Sequence, residues 1–156
     1  MNLFKISIND KNIKDGIYIP FEESQTVPKI SFNQKQQKKF TILMVDPDAP
    51  SRSNPIYKYW LHLLTINNNN NSNSNNNNII VNYEPPSPPK KSGKHRYIFY
   101  LLEQSHDLNK DNIIIPKKFI DKNGSPKERN NFNLGEFIEN NKLKIIDSIY
   151  FETEKK

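Results

Sequence analysis

A chain of 156 residues with 34% apolar residues has room for one domain built on one ordinary core. Its formal net charge of +6 favours acidic partners, but the lysines are scattered in pairs such as Lys38–Lys39, Lys90–Lys91 and Lys117–Lys118, and no aromatic–basic stacking platform accompanies them, which disfavours nucleic acid. The chain has no cysteine, which excludes disulfides and thiolate metal sites, and no run approaches the ~20 apolar residues needed to span a bilayer.

The first residues, Met1 to Ile6, lack the apolar stretch of a secretory signal, so a cytoplasmic protein is expected. Phe4, Ile6 and Ile8 alternate with polar residues and predict a strand. Ile17-Tyr18-Ile19 is a short apolar patch closed by Pro20, and Lys29 to Phe32 alternates again. Phe40 to Val45 is continuously apolar, the pattern of a central strand buried on both faces. Pro47 ends its pairing, because proline has no N–H to give to a ladder.

Trp60 to Ile66 predicts a further strand that runs into residues 67–78, which are asparagine and serine only. That stretch has nothing apolar to bury and cannot offset its ordering entropy, so it reads as a disordered loop inserted between two strands. Ile79 to Val81 resumes the strand pattern, and Tyr97 to Leu102 is a third strongly apolar, β-prone run. A helical turn is expected near Pro116–Asp121. Asn133 followed by Glu136 forms a capping pattern, with Leu134, Phe137 and Ile138 at helical spacing behind it. Ile145 to Glu154 closes the chain as a strand with Ile149 and Phe151 on one face. The fold class is therefore mostly β, a sandwich or sheet-rich domain with one or two peripheral helices.

Chemistry concentrates on either side of the asparagine run. Asp46 ends a buried-type strand and opens a loop stiffened by Pro47 and Pro50. Tyr57 and His62 follow within sixteen residues, and an imidazole beside a carboxylate tends to keep its proton and serve as a donor. His95 and Tyr97 share a strand face, so Arg96 faces the other way and reads as a salt-bridge partner. In Pro85-Pro86-Ser87-Pro88-Pro89 only Ser87 has a backbone donor, which suits either the rigid wall of an anion pocket or a polyproline II segment for another module. Ser51 or Ser92 with His62 or His95 and Asp46 would supply triad residue types, but no Gly-x-Ser-x-Gly elbow is present. The two histidines lack a metal-ligand spacing, so neither a metal nor a cofactor is expected.

These segments resemble the phosphatidylethanolamine-binding protein family, also called the Raf kinase inhibitor protein family. Phe40-Thr41-Ile42-Leu43-Met44-Val45-Asp46-Pro47-Asp48-Ala49-Pro50-Ser51, then ten residues and His62, is similar to the family signature without a gap. Tyr83 to Tyr97, ending in His95-Arg96-Tyr97, resembles the second motif, and Val27 to Phe32 and Arg129-Asn130-Asn131-Phe132 with Phe137 resemble flanking segments. The resemblance implies a central antiparallel sheet, a smaller sheet and a few helices, in one domain over residues 1–156 interrupted by the insertion at 67–78. It implies a non-enzymatic pocket formed by Asp46, Tyr57, Trp60, His62, Ser87, Pro88, Pro89, His95 and Tyr97, with Ala49 and Pro50 at its rim. The implied partners are a phosphorylated small molecule or phospholipid head group, with a protein kinase as the alternative and peripheral contact with an anionic membrane surface; the family also includes peptidase inhibitors.

Departures stand at Pro85 and Lys91, where the family usually has glycine. Lysine tolerates positive φ poorly, so the pocket-edge loop is expected to change shape. The chain ends shortly after Phe151, so a helix that closes the pocket in animal members is expected to be missing and the site more open.

Overall fold

The computed structural model describes residues 3–33, 37–69, 78–120 and 127–156. In chain order its strands are β1 (Phe4–Ile8), β2 (Lys11–Asn12), β3 (Ile17–Tyr18), β4 (Lys29–Phe32), β5 (Phe40–Asp46), β6 (Trp60–Asn68), β7 (Ile79–Val81), β8 (His95–Gln104) and β9 (Leu143–Thr153), with one α-helix, α1 (Leu134–Asn140), before the last. They form a three-stranded sheet ordered β2-β1-β4 and a six-stranded sheet ordered β3-β9-β8-β5-β6-β7.

The large sheet is antiparallel except at one edge. There β3 runs parallel to β9, pairing Ile17 with Phe151. The antiparallel sheet that the resemblance implied thus carries one parallel pair at its edge.

β5 is central, and all seven of its residues are buried. Their period-two alternation sends them into two different cores. Leu43 and Val45 join Leu61, Leu64, Phe132 and Phe137. Phe40, Ile42 and Met44 join Phe4, Ile6, Ile8, Phe99 and Phe151. The small sheet therefore covers one face of the large one, and α1 with its flanking loops covers the other. Each apolar side chain so buried contributes about 1.5–3 kcal/mol before entropy is counted.

α1 starts where its capping pattern placed it: the Asn133 side chain accepts the Glu136 N–H at 3.0 Å. The segment expected as a helical turn near Pro116–Asp121 instead carries a simple turn, closed by the Phe119 N–H on the Pro116 carbonyl at 3.1 Å, and Asp121 lies outside the described residues. A short 3₁₀ helix at Phe21–Gln25, which apolar spacing does not announce, follows Pro20.

The asparagine run also begins differently from expectation. Asn67 and Asn68 belong to β6. Asn67 takes a left-handed φ of 57°, which asparagine tolerates well, and its amide donates to the Leu108 carbonyl at 2.7 Å and accepts from Gln104 at 2.8 Å. The Asn68 amide donates to the Phe40 carbonyl at 3.0 Å. Short polar side chains here hydrogen-bond across to neighbouring segments, which composition alone does not reveal. The rest of the expected disordered loop, residues 70–77, lies outside the described residues.

Candidate functional site

The site forms where β5 ends and β8 begins. β5 pairs Val45 with Ile98 of β8 and Asp46 with Trp60 of β6, so Asp46 stands between Trp60 and the His95–Tyr97 end of β8. The β5–β6 register slips between Met44↔Leu63 and Val45↔Leu61, leaving His62 without a residue opposite it. A bulge of this kind re-aims a side chain. The connection from β7 to β8 supplies a wall. It is fastened by the Glu84 N–H on the His62 carbonyl at 2.9 Å and by the Gln25 amide on the Pro86 carbonyl at 2.9 Å. The unforeseen 3₁₀ helix thus braces the proline segment.

These elements enclose a cavity of about 300 Å³. All nine residues expected at the site line it: Asp46, Tyr57, Trp60, His62, Ser87, Pro88, Pro89, His95 and Tyr97, joined by Ala49, Pro50 and Glu84. Asp46, His62 and His95 are buried to 3% exposure or less.

The hydrogen bonds assign different roles to the two histidines. Asp46 accepts the Asp48 N–H on Oδ1 at 2.7 Å and the His95 Nδ1–H on Oδ2 at 2.8 Å. The other His95 nitrogen meets Ser92 Oγ at 2.9 Å, and that hydroxyl donates its proton to the Pro89 carbonyl at 2.6 Å. Both ring nitrogens of His95 therefore face acceptors. Ser92, His95 and Asp46 do line up as triad residue types. However, Ser92 does not line the cavity, and its proton is directed to Pro89 rather than to the imidazole.

His62 is not paired with Asp46, contrary to the sequence expectation. Its Nδ1–H donates to the Glu84 carbonyl at 2.6 Å. Burial holds its pKa below the ordinary imidazole value, outweighing the Glu84 carbonyl and the charges of Asp46 and Glu84, while the charge of Arg129 lowers it further. His62 is therefore a neutral ring whose Nε2 offers a lone pair. The Tyr97 phenol is held well above its usual pKa by burial and by the charges of Asp46 and Asp48. It stays protonated.

Arg96 turns away from the cavity, as its parity on the strand required. Its Nε and NH2 reach Asp48 at 3.0 and 2.8 Å, and its backbone N–H reaches the same carboxylate at 2.9 Å. Burial pushes the Asp48 carboxyl up, but the bonds and charge of Arg96, together with the charge of Arg52, hold it below its ordinary value.

Lys91 stands on the pocket-edge loop in a conformation that lysine tolerates poorly. It takes φ +64°, the left-handed conformation that glycine would occupy freely, and its N–H bonds to the Lys155 carbonyl at 3.2 Å. Glu84 and Arg129 were absent from the expected site. The Glu84 carboxylate accepts the Trp60 Nε1–H at 2.8 Å and forms an ion pair with Arg129, Nε to Oε2 being 3.1 Å. The Arg129 guanidinium also caps the carbonyls of Leu61, His62 and Asn82. The sequence signal was slight, a lone acid beside the proline segment and an arginine 45 positions away.

The family model described as phosphatidylethanolamine-binding protein matches residues 9–150. A phosphatidylethanolamine-binding protein homolog of Acanthamoeba polyphaga mimivirus is 53% identical over 154 residues, covering 99% of this chain and 99% of its own. Among solved structures, carboxypeptidase Y inhibitor in complex with its cognate proteinase superposes with a TM-score of 0.75 at 23% identity, over 99% of this chain and 84% of that one. That likeness carries the fold alone. The phosphatidylethanolamine-binding protein of Plasmodium falciparum gives a TM-score of 0.70 at 25% identity, over 97% of this chain and 84% of its own.

Proposed function

The chain belongs to the phosphatidylethanolamine-binding protein family, and on that premise we propose that it is a non-enzymatic cytoplasmic binding protein. Its cavity takes a small phosphate-bearing group, such as a phospholipid head group, in the service of signalling. One observation carries the reading: residues from two separated sequence segments converge on one cavity of about 300 Å³, within the range of small-molecule sites. The rigid prolines reduce the entropy lost on binding, and the Ser87 N–H is a backbone donor at the wall. Exposed Lys90, Lys91 and Lys94 on the adjoining loop would favour an anionic surface nearby.

A charge-assisted hydrogen bond contributes about 1.5–3 kcal/mol before other costs. A few of them in a half-open cavity correspond to micromolar or weaker affinity. Adding phosphoethanolamine to millimolar concentration is expected to shift the imidazole NMR signals of His62 and His95. Unmoved signals would overturn the proposal.

A second reading, restraint of a protein kinase through a phosphorylated segment, draws on the apolar surface beside the cavity, where Ile56 is 56% and Tyr57 40% exposed. Kinase co-purification that survives His95→Ala but is lost in Ile56→Asp would favour it over simple ligand binding.

A further inference from the structure

We propose that Ser92 is a phosphorylation site for a basophilic serine kinase, and that its phosphate takes the place of the hydroxyl on His95, a ring that lines the cavity.

Ser92 stands in Lys90-Lys91-Ser92-Gly93-Lys94. It is the one serine of the chain with a lysine both two positions before it and two positions after it. A kinase with acidic subsites on both sides of its cleft recognises a serine framed in this way by charge.

The fold presents that frame to solvent. Lys90, Lys91, Gly93 and Lys94 are exposed and Ser92 is half-buried. The Lys94 Nζ rests over the Tyr18 ring, 5.3 Å from its centroid. A Cβ built on Gly93 would meet nothing within 4 Å, so the segment stands clear of the fold on that side. The turn is closed by the Ser92 N–H on the Pro89 carbonyl at 3.1 Å and fastened by the Lys91 N–H on the Lys155 carbonyl at 3.2 Å. Opening it breaks these bonds and the two contacts of the Ser92 hydroxyl, and it releases the left-handed φ of Lys91. Residues 90–94 precede β8, so its pairing with β9 survives the opening. Ser87 is exposed as well, but Pro86 and Pro88 beside it are buried and the Pro86 carbonyl holds Gln25. A kinase would have to unpack the cavity wall to reach it.

In the transfer, the Ser92 Oγ attacks the γ-phosphorus of the kinase's ATP. An Oγ–P bond forms, the bond to the β–γ bridging oxygen breaks, ADP leaves, and the serine proton passes to the kinase's catalytic base. The product carries about −1.5 to −2 charges and three acceptor oxygens. In the unmodified chain His95 Nε2 meets Ser92 Oγ at 2.9 Å, while its Nδ1 meets Asp46 at 2.8 Å. The phosphate offers the same Nε2 a charged acceptor, with Lys90, Lys91 and Lys94 in the same segment to gather around it. The bond from the hydroxyl to the Pro89 carbonyl is lost with its proton. An anion in the cavity then meets an added negative charge one imidazole away. That last consequence, unlike the modification itself, rests on the proposed binding of a phosphate-bearing group.

The experiment treats the full chain with ATP and the catalytic domain of a serine kinase that prefers lysine on both sides of its target. Intact mass, site mapping and histidine NMR follow the product. One phosphate on Ser92 is expected. It should be absent from Ser92→Ala, and its transfer should be at least ~10-fold slower in a Lys90→Ala, Lys94→Ala double variant whose amide spectrum shows an intact fold. The His95 ring signals should move on modification and return after phosphatase treatment, while those of His106, beyond the far end of β8, stay in place. Phosphoethanolamine should bind the modified chain at least ~5-fold more weakly at about pH 7.5. Phosphate found elsewhere with Ser92 unmodified overturns the inference. So do His95 signals that stay put when Ser92 is phosphorylated, and so does an unchanged phosphoethanolamine affinity. If phosphoethanolamine does not bind even the unmodified chain, the proposed function falls, and the mapped site and the His95 signals still decide the modification.

Discussion

Asp48 lies outside the cavity and yet organises it. Its backbone N–H orients Asp46, while its own carboxylate, 2% exposed, gathers Arg96 and Arg52. Asp48→Ala would leave Arg96 and a backbone N–H without their acceptor. The expected loss is about 3 kcal/mol in urea unfolding, the low end for breaking a buried pair, because Arg96 remains 40% exposed. The pH dependence has a definite sign. His62 has a folded pKa below its ordinary value of about 6.5, so the unfolded chain binds more protons in that window and stability falls as pH drops below ~6.5. Asp48, also depressed, contributes stability that is present above ~3.9 and is lost as pH falls through its folded value. Urea midpoints measured downward from neutral pH should decline first through His62, and His62→Gln should flatten that first decline. The direction of Arg96 was legible from strand parity. The partner of His62 was not, because it is the main-chain carbonyl of Glu84, which only the folded β6 bulge and β7–β8 connection bring to the ring.

Among the elements, the pocket-edge loop carries local backbone strain. A non-glycine residue in the left-handed region costs about 1 kcal/mol or more, and Lys91 is such a residue. Glycine there would remove that cost but add back some unfolded-state entropy. Lys91→Gly is accordingly expected to raise stability by about 0.5 kcal/mol in thermal unfolding, with the hydrogen bond to Lys155 retained. The helix provides the complementary case. Asn133→Ala removes the acceptor for the Glu136 N–H and should lower stability by about 1 kcal/mol. Alternation made β1 and β9 readable, continuous apolar runs did the same for β5 and β8, and Asn133 marked α1. The 3₁₀ helix at Phe21–Gln25 escaped because its five residues bury little, Ser24 foremost, and so leave no apolar period to detect.

For the molecule as a whole, the six-stranded sheet between two apolar layers gives the cavity a rigid floor, since β5 has neither an edge nor a solvent-facing side. A change in the β6–β7 connection should therefore do little. Thr65 pairs with Ile79, so deleting residues 70–77 would leave a five-residue hairpin loop. That deletion is expected to change unfolding free energy by less than ~1 kcal/mol and to leave phosphoethanolamine binding by NMR unaltered. The family, most strands and the residues around the cavity were readable in the chain because period-two alternation, proline's missing donor and contiguous motifs are local properties. Folding alone settled that His95 and not His62 meets Asp46, that Glu84 and Arg129 complete the wall, and that His62 is neutral. Those outcomes depend on pairs tens of residues apart and on loss of water from the ring, and neither exists until the sheets close over the site.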